Sequence, residues 1–131
     1  MARILLVDDE GDLLETVGVL LKHEGHELIR TCDGAEALEY LRGLEPIDLL
    51  VTDIRMAPIN GLQLIEIAHR ERPHLHIIVV SAYLDDDTIR RAVELGCSAY
   101  IKKPFILRDI LDPIREVLAK MTKGGDERHK E

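Results

Sequence analysis

The stretch Leu49-Leu50-Val51-Thr52-Asp53 decides the fold. Apolar and β-branched residues in an unbroken row, closed by a carboxylate, read as a strand buried on both faces of a parallel sheet and ending at a polar edge. The pattern recurs along the chain. Ile4-Leu5-Leu6-Val7 runs into Asp8-Asp9, Ile77-Ile78-Val79-Val80 into Ser81, and Ala99-Tyr100-Ile101 towards Lys103-Pro104. In open parallel sheets ligands bind in the crevice at the carboxyl ends of the strands. Four strands would therefore deliver carboxylates, a hydroxyl and an ammonium to one edge.

Between these runs lie helical patterns. Leu13, Leu14, Val17, Leu20 and Leu21 keep the 3–4 spacing of one helix face before Gly25. Strand two is read at Glu27 to Thr31. Asp33 with Glu36 three residues on has the capping-box pattern and opens helix two, about Ala35 to Leu44. Strand three spans Asp48 to Thr52. A loop to Gly61 follows, with Pro58 and Asn60-Gly61 as turn residues. Helix three carries Leu62, Leu64, Ile65, Ile67 and Ala68 and stops before Pro73. Strand four is His76 to Val80. Helix four follows Asp85-Asp86-Asp87 and ends at Gly96. Strand five is Ser98 to Lys102, and helix five runs from about Ile106 to Met121. Pro113, inside that last pattern, is expected to kink the helix or restart it with Asp112 as cap.

Five βα units with right-handed crossovers give a doubly wound α/β fold, a flavodoxin-like three-layer sandwich around a five-stranded parallel sheet. In the strand order 2-1-3-4-5 the switch point lies between strands one and three, which places Asp8, Asp9 and Asp53 together.

At 131 residues, 46% of them hydrophobic and 32% charged, the chain is one globular domain rather than a disordered one. A net charge of −8 argues against nucleic acid as a direct partner. No apolar stretch reaches membrane-spanning length, so no membrane association is expected. Cys32 and Cys97 show no motif spacing, which fits reduced thiols and a cytoplasmic location.

Three acidic side chains in one crevice repel one another unless a cation joins them. A hard, oxygen-only site suits Mg²⁺, with Mn²⁺ as a second possibility. Asp8, Asp9 and Asp53 supply ligands, and the backbone carbonyl of Arg55 adds one. Phosphoryl transfer is mostly positioning and electrostatic stabilisation. In such a site Asp53 is the nucleophile and forms an aspartyl phosphate. Lys103 pairs with one phosphoryl oxygen and Ser81 hydrogen-bonds another.

These residues resemble the receiver domain of the response regulators of two-component signalling, of the chemotaxis-regulator type. The resemblance covers Met1 to Met121 and leaves 122–131 as a polar tail. It rests on Val7-Asp8-Asp9-Glu10, Val51-Thr52-Asp53-Ile54-Arg55-Met56, Gly61, Val80-Ser81-Ala82 and Tyr100-Ile101-Lys102-Lys103-Pro104-Phe105. It implies that Asp53 accepts phosphate from a sensor histidine kinase and that Asp8 and Asp9 hold Mg²⁺. It further implies that Ser81, Lys103 and the backbone at Ala82 bind the phosphoryl group, and that the Lys103–Pro104 bond is cis. Tyr100 matches an aromatic switch coupled to Ser81, with helix four, strand five and helix five as the face offered to a downstream protein or output domain, or to a second copy in a homodimer. Two departures stand out: Ala57, followed by Pro58, occupies the position where proline is usual, and Pro113 is unusual in helix five.

Each residue also has a plainer reading. Asp8-Asp9 suits a helix cap, Asp53 an Asx turn, and Tyr100 an ordinary strand residue. Asp85-Asp86-Asp87 reads as a cap complementing a helix dipole. The histidines lack metal-ligand spacing and read as surface residues. Leu107 and Leu111 are candidates for apolar residues left exposed on helix five. Arg55 and Tyr83, at the rim, are candidates for tuning dephosphorylation by limiting the access of water. The competing functions are a pseudo-receiver acting as an unphosphorylated interaction module, a flavin carrier and an aspartate-nucleophile phosphatase. Asp8-Asp9-Glu10 stands where a flavin-phosphate loop would be, and neither Asp8 nor Asp53 opens an Asp-x-Asp motif. The module is thus read as a phosphoacceptor rather than an enzyme acting on external substrates.

Overall fold

The computed structural model describes residues 2–8, 12–54, 59–82 and 85–130, without the side chains of 12–14 and 122–130. Strands and helices alternate: β1 (Arg3–Val7), α1 (Asp12–His23), β2 (Glu27–Thr31), α2 (Gly34–Arg42), β3 (Leu49–Thr52), α3 (Gly61–Glu71), β4 (His76–Ser81), α4 (Asp86–Glu94), β5 (Ala99–Lys102) and α5 (Leu107–Lys130). All neighbouring strands are parallel and their order is β2-β1-β3-β4-β5. Fold class and strand order are those read from the sequence. No described helix is long and apolar enough to cross a membrane.

Alternation along the strands divides the core in two. Ile4, Leu6, Leu49, Val51, Ile78 and Val80 pack with Val17 and Leu21 of α1 and with Ile110 and Ile114 of α5. The intervening Leu5, Val7, Leu50, Ile77 and Val79 pack with residues of α2, α3 and α4 on the other face. Burial on both faces is why these strands are continuously aliphatic rather than alternating. In the register, Val7 lies between Thr31 of β2 and Thr52 of β3. Asp8 and Asp53 are the next residues along β1 and β3.

The helix ends follow local chemistry. The Asp33 carboxylate accepts from the Glu36 N–H at 2.8 Å and caps α2. Asp85 accepts from the Thr88 N–H at 2.8 Å and caps α4, the role read for the aspartate run. A full reciprocal capping box forms at α3, where Asn60 and Gln63 bond each other's backbone N–H at 2.9 and 3.0 Å. The turn reading of Asn60-Gly61 did not include this box. Asn60→Ala is expected to lose about 1 kcal/mol of stability, read from urea unfolding.

Helix five differs from expectation. Pro113 lies inside one continuous helix rather than restarting it at Asp112, and the helix runs on past Met121. Burial of Ile110, Leu111, Ile114, Val117 and Leu118 along one face outweighs the single N–H that proline lacks. Leu111, read as a possible exposed residue, is in the core, and Leu107 packs partly against it. The exposed apolar residues nearby are Val93, Tyr100 and Ile106.

Cys32 and Cys97 are both free thiols. Cys32 is exposed, whereas burial pushes the Cys97 thiol up from its ordinary pKa. Iodoacetamide at mildly alkaline pH is expected to modify Cys32 well before Cys97, as resolved by peptide mass mapping.

Candidate functional site

Two backbone bonds pin the acidic residues at the strand ends. The Asp8 N–H donates to the Thr31 carbonyl of β2, and the Asp53 N–H donates to the Val7 carbonyl of β1, each at 3.2 Å. The sheet thus extends one step past its last paired residues and holds the two carboxylates side by side. Both side chains are buried, with only 5% and 10% exposure.

Lys103 closes the arrangement. The Lys103 N–H donates to the Ser81 carbonyl at 2.9 Å, which ties the end of β5 to the end of β4. The Lys103–Pro104 peptide is cis. The Lys103 Nζ lies 2.9 Å from Asp53 Oδ2 and 3.1 Å from Asp8 Oδ2, so one ammonium bridges both carboxylates. Burial lowers the Lys103 pKa, but the hydrogen bonds and charges of Asp53 and Asp8 outweigh it and hold the ammonium above its ordinary value.

Asp53 is gripped at both oxygens. Oδ2 takes the Lys103 ammonium, and Oδ1 accepts the Ile54 N–H at 2.6 Å. The fully buried Thr52 hydroxyl donates to the Asp53 carbonyl at 2.9 Å. Gly61 N–H donates to the Ile54 carbonyl at 2.7 Å. A Cβ at position 61 would stand 2.6 Å from Ile54 Cα and 2.8 Å from the Asp53 carbonyl carbon, so only glycine lets α3 begin here.

The structure therefore brings together Asp8, Asp53 and Lys103 among the residues read from the sequence. Ser81 ends β4 with a fully buried side chain, level with Lys102 of β5. Ala82 follows it and is exposed. Tyr100, level with Val79, faces outward and is half-exposed. Asp9, Arg55 and Tyr83, together with Ala57 and Pro58, lie outside the described residues. The sequence reading missed the Thr52 hydroxyl and the Ile54 amide. A threonine directly before an aspartate carries no signal by itself, and a backbone amide carries none at all. Gly61 was noted as part of a pattern, whereas its reason, the close approach to the Asp53 turn, needed coordinates.

Two neighbouring buried carboxylates bridged by one ammonium set all-oxygen donors at the sheet edge. Such donors suit a hard divalent cation, and a carboxylate beside a fixed positive charge suits a nucleophile.

Comparison with known proteins converges on one family. The model of the response regulator receiver domain matches residues 4–115. The chain is 31% identical over 123 residues to the response regulator SaeR of Staphylococcus aureus, covering 94% of this chain and 53% of SaeR. It thus spans about half the length of the curated relatives it matches. Among solved structures, a CheY-like response regulator receiver domain protein from Methanospirillum hungatei superposes with a TM-score of 0.87 at 32% identity, over 95% of this chain and 98% of that one. The non-phosphorylated HemR receiver domain from Leptospira biflexa gives 0.82 at 31% identity, over 89% and 94%. The fold, the strand-end carboxylates and these matches make the chain a member of the response regulator receiver domain family of two-component signalling.

Proposed function

We propose that Asp53 is the phosphoacceptor of this receiver domain and that the transfer depends on Mg²⁺. The observation that carries the proposal is the pair of buried carboxylates, Asp8 and Asp53, held against the Lys103 ammonium.

Receiver domains generally bind Mg²⁺. The donor set fits that ion: two adjacent carboxylates, bridged by the Lys103 ammonium, offer hard oxygens at the sheet edge. Asp8 and Asp53 would hold the ion, with Asp9 and the Arg55 carbonyl as further ligands by family pattern; Mn²⁺ suits the same donors. When bound, the ion supplies charge neutralisation for the incoming phosphoryl group.

The residues of the chain then do the following. An Asp53 carboxylate oxygen attacks phosphorus, a P–O bond to Asp53 forms, and the bond from phosphorus to the donor breaks. With a phosphohistidine donor the electron pair stays on the imidazole nitrogen, which takes up a proton; with acetyl phosphate the leaving group is acetate. Lys103 already lies at Asp53 Oδ2 and needs only a small movement to pair with a phosphoryl oxygen. The Ser81 hydroxyl and the Ala82 N–H hydrogen-bond the remaining oxygens. Arg55 and Tyr83, by sequence position, tune how long the phosphoryl group survives.

The donor in the cell is a sensor histidine kinase, and the exchange takes place in the cytoplasm, where ATP charges the kinase. The α4–β5–α5 face, with exposed Val93, Tyr100 and Ile106, is the surface that changes on phosphorylation and meets an output domain, a partner protein or a second copy. The set Asp8, Asp53 and Lys103 favours this phosphoacceptor over an unphosphorylated interaction module, because a passive scaffold has no need to bury two adjacent carboxylates.

The test is intact mass after incubation with acetyl phosphate, with and without Mg²⁺, for wild type and Asp53→Asn. The expected result is one added phosphoryl group in the wild type with Mg²⁺ alone. A gain in Asp53→Asn, or none in the wild type, would overturn the assignment.

A further inference from the structure

We propose that Thr52 is a positioning residue for phosphorylation, acting on the Asp53 carboxylate through a single peptide plane. The Asp53 carbonyl and the Ile54 N–H belong to one rigid planar unit. At its oxygen end this unit accepts the Thr52 hydroxyl at 2.9 Å. At its nitrogen end it donates to Asp53 Oδ1 at 2.6 Å. Rotation of the plane about its flanking bonds would move both ends together. Holding the oxygen therefore holds the amide, and the amide holds the carboxylate.

Three further features support this reading. Thr52 is fully buried, so no water competes for its hydroxyl and the bond is worth more than at a surface. It is the last paired residue of β3, opposite Val7 in β1 and Val79 in β4, so its own backbone is fixed on both sides. Gly61 packs its Cα against the same carbonyl, where any Cβ would force the plane to turn. The plane is thus set by a hydrogen bond and by a steric wall, and both act on the residue that carries the nucleophile.

Thr31 provides the internal comparison. It flanks Val7 from β2 as Thr52 flanks it from β3, it is buried, and its hydroxyl donates to the Leu6 carbonyl at 3.4 Å. It does not touch the Asp53–Ile54 peptide.

The inference rests on the phosphoacceptor reading for its rate and on geometry alone for its spectrum, and the experiment reads both. The full chain is prepared as wild type, Thr52→Val, Thr52→Ser and Thr31→Val. Amide ¹H–¹⁵N spectra are recorded first. Phosphorylation by acetyl phosphate with Mg²⁺ is then timed by intact mass, under conditions where urea curves show each chain folded. In Thr52→Val the Ile54 amide proton is expected to move upfield as its bond to Oδ1 lengthens. Its phosphorylation rate at saturating acetyl phosphate is expected to fall about five- to tenfold, as for a small misplacement of a reacting group. Thr52→Ser restores both, and Thr31→Val, which keeps the backbone carbonyl that accepts the Asp8 N–H and removes only the hydroxyl bonded to Leu6, changes neither. An unmoved Ile54 amide in Thr52→Val, a wild-type rate in that variant, or an equal slowing in Thr31→Val would overturn the inference. Failure of the wild type to gain a phosphoryl group would overturn the phosphoacceptor reading instead, while the Ile54 shift would still decide whether Thr52 sets the peptide plane.

Discussion

A Gly61→Ala chain is expected to fold with about 3 kcal/mol less stability than the wild type, the upper part of the range for forcing extra atoms into packed structure. The built Cβ meets backbone, with Ile54 Cα at 2.6 Å and the Asp53 carbonyl carbon at 2.8 Å. A flexible side chain could swing aside, but the end of a central strand cannot move without disturbing its pairing. Relief has to come from the turn itself, through a longer Gly61 N–H to Ile54 carbonyl bond and a rotated Asp53–Ile54 peptide. The variant should therefore lose phosphorylation rate even where it is still folded. Urea midpoints at neutral pH and intact-mass kinetics below the unfolding transition check the two parts. A midpoint equal to the wild type would show that α3 can start elsewhere at no cost.

Replacing Lys103 with methionine should have a comparable effect from a different cause. Methionine keeps much of the aliphatic stem and removes the charge, so the two buried carboxylates lose the ammonium that bridges them. Breaking a buried ion pair by removing one partner costs about 3–5 kcal/mol. Here the lysine side chain is 23% exposed, so about 2–3 kcal/mol is the expected loss in metal-free buffer. Added Mg²⁺ should recover part of it, since the ion competes for the same oxygens. The pH dependence has a definite sign. The folded-state pKa of Lys103 is raised above 10.5, so its contribution is complete below the unfolded value and disappears as pH climbs through the folded one. Urea midpoints of wild type and Lys103→Met should thus differ most at pH 8 and converge as the pH is taken above 10.5. Parallel curves across that range would mean that the ammonium does not stabilise the folded chain.

Much of this was legible in the residues. The strands announced themselves because burial on both faces demands unbroken aliphatic runs, and Leu49-Leu50-Val51 has no other simple use. The 2-1-3-4-5 order is one of the common doubly wound arrangements, which right-handed crossovers allow without selecting. Asp8, Asp53 and Lys103 stood out because polar residues at strand ends converge on one edge. Harder to read was anything carried by the backbone. The Ile54 amide is invisible in a sequence, and Gly61 looks like a turn residue until the Asp53 carbonyl is seen beside it. Pro113 left a kink and a restart both open, because the cost of one missing hydrogen bond is a local matter, whereas the burial that offsets it is shared among Ile110, Leu111, Ile114 and Val117. Leu111 stood only as a candidate for exposure for the same reason: helix periodicity gives a face, and only the packing shows how wide the buried stripe is.

The alternation of side chains across the sheet has one more consequence. Asp8, Asp53 and Lys103 continue the rows Ile4-Leu6, Leu49-Val51 and Ile101, which lie under α1 and α5, whereas Ser81 continues Ile77-Val79, which lies under α2, α3 and α4. The groups that meet at the edge are thus rooted in two separate halves of the hydrophobic core, with the sheet as the partition between them. The relative placement of Ser81 and the Asp8, Asp53 and Lys103 group therefore depends on the packing of both halves at once.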